Sequence, residues 1–186
     1  VISGSRVYLD RCYSSSHFWM YPEDDELIRV GLDMNMIKLL YPLSEVVPPE
    51  THTSLIKNQL CTLLIRNDMT IPLYSPFRGE VIDINPEVHQ KIAQGATQYD
   101  DEWFLKMIPS EKVQGMDDLC SGDEMLRWYV QKIQLLKRYL RIGLSKSAIE
   151  DVGMTMADGG ETQLNLELIL GKQEYQRLVK EIFQLS

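Results

Sequence analysis

The chain has 186 residues, 44% of them hydrophobic and 25% charged, with a formal net charge of −8. This is the composition of a globular protein long enough to bury a real core. The acidic balance excludes a nucleic-acid surface, which needs clustered Lys and Arg. No apolar run approaches the ~20 residues that span a bilayer.

In chain order, residues 6–112 read mostly as strand. Arg6–Leu9 is a short β-type run, and Leu27–Leu32 is a second, closed by Asp33 and Asn35. Met34–Leu40 gives a short helix with Met36, Ile37, Leu39 and Leu40 on its apolar side. Cys61–Ile65 and Met69–Leu73 flank Arg66-Asn67-Asp68. Asn and Asp tolerate left-handed backbone, so this predicts a hairpin with an exposed tip. Pro72 cannot donate to a ladder, so it marks an edge position or a strand boundary. Glu80–Ile84 alternates polar and apolar, the period of a half-buried strand, and Pro86–Ala93 reads as a short helix. Trp19 and Trp103 sit in apolar strand contexts and are expected to be buried. Short strands separated by Pro, Gly and Asn predict a small β sandwich or flattened barrel.

Residues 116–186 change character. Ser121 and Glu124 have capping-box spacing at the start of a helix predicted over 123–142. Leu126, Tyr129, Val130, Ile133, Leu136 and Leu140 recur at helical spacing, and Gly143 is placed to end the helix. A short helix over Ser145–Val152, a loop over Met154–Glu161, and helices at Asn165–Leu170 and Lys172–Leu185 separated by Gly171 complete the chain. The expected architecture is α+β: a β domain at 6–112 and a helical C-terminal extension at 116–186. The helices at 123–142 and 172–185 are expected to pack on each other and on the β domain. A residual apolar face is then left for a protein partner or a second copy in a homodimer.

Local chemistry singles out no enzyme. Cys12, Cys61 and Cys120 have neither disulfide-framework nor zinc spacing, so they read as small apolar residues in a reducing compartment. With no signal-peptide pattern, the expected location is cytoplasmic. His17, His52 and His89 are too widely separated for a chelating pair, and no metal is expected. The acidic runs Glu23–Glu26 and Asp100–Glu102 lack the alternating ligands and central glycine of a calcium loop. The basic cluster Lys132, Lys137, Arg138 and Arg141 reads as a solvated helix face.

Six segments in order carry a resemblance. They are His17-Phe18-Trp19-Met20, Val30-Gly31-Leu32, Pro48-Pro49, Leu73-Tyr74-Ser75-Pro76, Gly79–Asn85, and Asp101–Met107 with Pro109-Ser110. Together they resemble the glycine cleavage H protein, a lipoyl carrier of the lipoyl-domain type, over about residues 6–112. In that family a lysine five residues before the motif's leucine carries the lipoyl arm, and here that position is Asp68. A glutamate three residues before the lysine guides the lipoylating enzyme, and here that position is Ile65. The resemblance therefore implies a non-catalytic module without cofactor, serving as a binding or scaffold protein. Its alternative is an accessory component of a glycine-cleavage-like or other lipoate-linked system, binding carrier partners without a lipoyl arm.

Overall fold

The structure is a computed structural model. It describes residues 10–93, 102–113, 122–146 and 166–185. The predicted strand at Arg6–Leu9, the loop at Met154–Glu161 and most of the helix at Ser145–Val152 lie outside these residues. The chain divides into two compact units, Val1–Trp128 and Tyr129–Ser186.

The first unit carries nine strands among the described residues: β1 Cys12–Tyr13, β2 Phe18–Pro22, β3 Ile28–Leu32, β4 Glu45–Val47, β5 Ser54–Leu55, β6 Leu60–Arg66, β7 Met69–Tyr74, β8 Gly79–Ile84 and β9 Leu105–Pro109. They form a six-stranded sheet in the order β1-β2-β3-β9-β8-β5 and a three-stranded sheet in the order β4-β6-β7. Both are open sheets, so the sandwich-like alternative holds and the flattened barrel does not. Each sheet contributes fully buried apolar side chains, Val30, Val81 and Met107 from one and Leu64, Ile71 and Leu73 from the other. β7 is an edge strand, as Pro72 requires.

Helix α1 spans Met34–Ile37 and runs into a 3-10 turn at Lys38–Leu40. Helix α2 spans Pro86–Ala93. Asn85 starts it, its Oδ1 accepting from the N–H groups of Glu87 and Val88 at 3.2 and 3.3 Å.

Two glycines of the first unit are fixed by space. A Cβ on Gly31 would lie 2.0 Å from the Trp19 indole, and one on Gly79 would lie 2.5 Å from the Ile108 carbonyl oxygen. Trp19 is buried against Gly31, with the Arg11 guanidinium 4.3 Å from its ring centroid. Trp103 is only half-buried: it precedes the strand that begins at Leu105, and the Lys106 ammonium lies 4.9 Å from its ring centroid.

The second unit begins within helix α3, Gly122–Lys146, and adds α4, Leu166–Leu170, and α5, Lys172–Phe183. Gly143 does not end α3. The helix runs through it, because the missing side chain admits α4: a Cβ there would meet Leu170 Cδ2 at 2.7 Å and the Ile169 carbonyl oxygen at 3.1 Å. The buried stripe of α3 is also shifted. Tyr129, Lys132, Leu136 and Tyr139 are buried, whereas Val130 and Ile133 are 45% and 38% exposed. Lys132 is thus no part of a solvated face. Its Nζ donates to the carbonyls of Glu181 and Ile182 at 2.9 and 2.8 Å, in the last turn of α5. Gly171, with φ of 76°, separates α4 from α5 as the sequence predicts.

Candidate functional site

The β6–β7 hairpin presents the residue that the sequence singles out. The last paired residues are Arg66 and Met69, leaving Asn67-Asp68 as a two-residue loop. Asn67 takes φ of 49°, a left-handed backbone that asparagine tolerates better than most residues. Both loop residues are exposed. Arg66, which the sequence places in the turn, is instead the last strand residue and is 3% exposed.

Strand β4 braces the tip from the side. Ser44 N–H donates to the Ile65 carbonyl at 2.7 Å, and the Asn67 N–H donates to Ser44 Oγ at 3.2 Å. Glu45 pairs directly across from Ile65 and is exposed. The tip therefore shows carboxylates from Asp68 and Glu45, and the nearest cation on the hairpin, Arg66, is buried. Sequence reasoning missed Ser44 and Glu45, since their role arises only when β4 pairs with β6 from some twenty residues upstream.

At the other end of β7, Leu73 is buried and Tyr74 is 42% exposed. Ser75 is fully buried, its hydroxyl donating to the Phe77 carbonyl at 2.8 Å and its N–H to the Gln59 carbonyl at 2.8 Å. The motif thus ends β7 with Leu73 and Tyr74 and turns at Ser75, whose side chain locks the bend.

Residues 11–132 match the family model of the glycine cleavage H-protein, well over half of the chain. The chain belongs to the glycine cleavage H-protein family. A glycine cleavage system H protein from Shewanella denitrificans is 28% identical over 109 residues, covering 58% of this chain and 84% of the relative. One from Shewanella loihica is 27% identical over 120 residues, covering 64% and 92%. A crystal structure of a glycine cleavage system H protein from Mycobacterium marinum shares the fold, with a TM-score of 0.50 and 21% identity over 61% of this chain and 95% of that one. The H-protein family is one of non-catalytic lipoyl carriers.

The other sequence candidates scatter over this H-protein frame. His17 is buried with φ of 63°, and its ring centroid lies 5.3 Å from that of Trp128. His52 is exposed, its Nδ1 3.2 Å from Glu80 Oε1. The side chain of His89 lies outside the described residues. No group of three His, Cys, Asp or Glu among the described residues could hold a metal ion, and no helix among them is long and apolar enough to cross a membrane.

The cysteines depart from expectation. Cys61 is buried and free, its thiol pushed up to about 11 by burial, with the Thr62 hydroxyl pulling the other way. Cys12 is disulfide-bonded. Cys120 lies outside the described residues. The reading of all three as reduced apolar residues does not hold, because spacing in sequence says nothing about which cysteines meet in space.

Proposed function

We propose that this chain is an H-protein-family module that works without a lipoyl arm, as a non-catalytic binding or scaffold protein. One observation carries the reading: the exposed hairpin tip, where the family's motif count puts the lipoyl lysine, holds Asp68. Lipoate is held through an amide to a side-chain amine, and a carboxylate offers none. A neighbouring lysine does not substitute, since none occurs between Lys57 and Lys91. The residues present do not fit the group. Ile65, at the position of the recognition glutamate, supports the same reading. On it, residues 6–112 form the carrier-like β domain and 116–186 the helical extension.

The second reading, an accessory component of a glycine-cleavage-like or other lipoate-linked system, draws on the braced hairpin. Ser44 and β4 still hold the tip in a defined shape. A tip with no chemistry to perform has reason to stay ordered when a protein recognises its shape.

Intact mass spectrometry of the chain expressed in cells with lipoylating machinery tests the first reading. The unmodified mass is expected, and a lipoyl adduct on any residue overturns it. Asp68→Lys alone is expected to lipoylate poorly, and Asp68→Lys with Ile65→Glu to lipoylate well. Failure of the double variant to accept the group would show that the tip is not the family's attachment site.

A further inference from the structure

Charge is divided unevenly along this chain. Six of its 19 Lys and Arg fall in α3, against two of its 27 Asp and Glu, both at the first turn. From Arg127 to Lys146 the helix carries no acid at all. Its buried stripe faces the second unit's core, and the opposite stripe, Arg127, Val130, Gln134, Lys137 and Arg141, is exposed at i, i+3, i+7, i+10 and i+14. Ile133, 38% exposed, flanks it. Arg127, Lys137 and Arg141 make no ion pair with any described residue, in contrast to Arg138, which pairs with Glu181 at 3.5 Å. This face has an apolar centre between unpaired cations.

The first unit bears the opposite pattern. A shallow cleft of about 620 Å³ is lined by Asp24, Asp25 and Glu26 along one side and by Leu27, Ile82 and Ile108. Ile108 is 44% exposed, a large apolar side chain in open solvent. Asp25 pairs with no described residue. The one cation lining the cleft among the described residues, Lys112, reaches Glu26 only at 3.9 Å with both side chains about three-quarters exposed. Such an exposed pair contributes little and exchanges readily. The cleft therefore has an apolar floor beside uncompensated carboxylates.

We propose that these two surfaces bind each other between copies of the chain, the basic-apolar face of α3 on one copy seating against the acidic-apolar cleft of another. Val130, Ile133 and Ile108 are large apolar side chains exposed on these surfaces. The occupant is a second copy because each half of the contact supplies what the other lacks. Like-charge juxtaposition rejects the wrong pairings, α3 on α3 and cleft on cleft. A lipid surface fits less well, since the stripe offers only Val130 and Ile133 to insert. The two halves differ, so the contact is head-to-tail, closing only when both copies exchange faces.

The test uses the full chain and two charge-reversed variants, Lys137→Glu with Arg141→Glu, and Asp24→Lys with Asp25→Lys. All four positions are exposed, so thermal melting is expected to stay close to wild type. Analytical ultracentrifugation over a concentration series is expected to show self-association that weakens at least tenfold in either variant and on raising salt from low to high ionic strength. Mixing the two variants is expected to restore association, because the reversed helix then meets the reversed cleft. A monomeric wild type overturns the proposal, including one that binds only acidic peptides through α3. Association indifferent to the reversals, or not restored in the mixture, overturns it too.

Discussion

Cys61 shows how one buried side chain couples to pH. Burial raises its thiol from an ordinary 9.0 to about 11 in the fold. The folded value lies above the unfolded one, so the thiol's contribution is fully present below pH 9 and is lost as pH rises through 9 towards 11, where the unfolded chain ionises first. A shift of two units corresponds to roughly 2–3 kcal/mol. Urea midpoints measured across this window are expected to fall more steeply for the wild type than for Cys61→Ala. The comparison removes the share of Lys132 and Tyr139, which are present in both proteins. Equal slopes would mean that the thiol ionises freely in the fold. At this scale the sequence is uneven in what it discloses. Asp68 is legible because the absence of an amine is a property of one residue type. Ser44 is not, because a serine acquires a role only through the strand it comes to lie beside. Gly31 lies between: the motif marks it, and only the Trp19 indole standing on its Cα explains it.

Helix α3 carries two interleaved apolar stripes, and the one that is buried contains a lysine. The stripe read from spacing took members of both: its Tyr129 and Leu136 are buried, and its Val130 and Ile133 are exposed. Lys132 is admitted because the last carbonyls of α5 have no partner within their own helix and its ammonium supplies one. Burial holds its pKa below the usual lysine range, and Glu181 partly offsets this. The charged form is therefore penalised in the fold, and this penalty is relieved as pH rises above the folded value. Lys132→Met keeps the apolar stem and removes the donor. Leaving the two carbonyls unpaired is expected to cost about 1–3 kcal/mol, read as a lower urea midpoint and faster hydrogen exchange in the last turn of α5. Unchanged stability would mean that water replaces the ammonium at no cost. The helices themselves were legible from spacing and from Gly171. The buried side of α5 was legible too, whereas that of α3 was legible only in part, because Lys132 finds its partners about fifty residues away.

For the whole molecule, the family match stops at residue 132, close to the division at Trp128 and Tyr129. The H-protein relatives are covered over 84% and 92% of their length. The second unit is additional chain, and it must stabilise itself at a size where burial is least effective. A domain of about 60 residues buries only roughly 60% of the surface its unfolded chain exposes. It answers with a dense apolar set: Tyr175, Leu178, Val179 and Ile182 are each at most 1% exposed, joined by Tyr129, Leu136 and Tyr139 from α3. Tyr129, Leu136, Leu178 and Ile182, from the stripes of the two longer helices, are all buried. Among the described residues of the second unit, apolar contact with a partner therefore falls to Val130, Ile133 and Leu168, which stay exposed. As two compact units, they are expected to respond separately. Ile182→Ala, at a site that is fully buried, is expected to cost about 2–5 kcal/mol. In hydrogen exchange the loss of protection should appear over 129–146 and 166–185, with β3, β6, β8 and β9 keeping theirs. An equal loss in those strands would show that the molecule unfolds as one cooperative body and that the added unit is integral to the carrier-like domain.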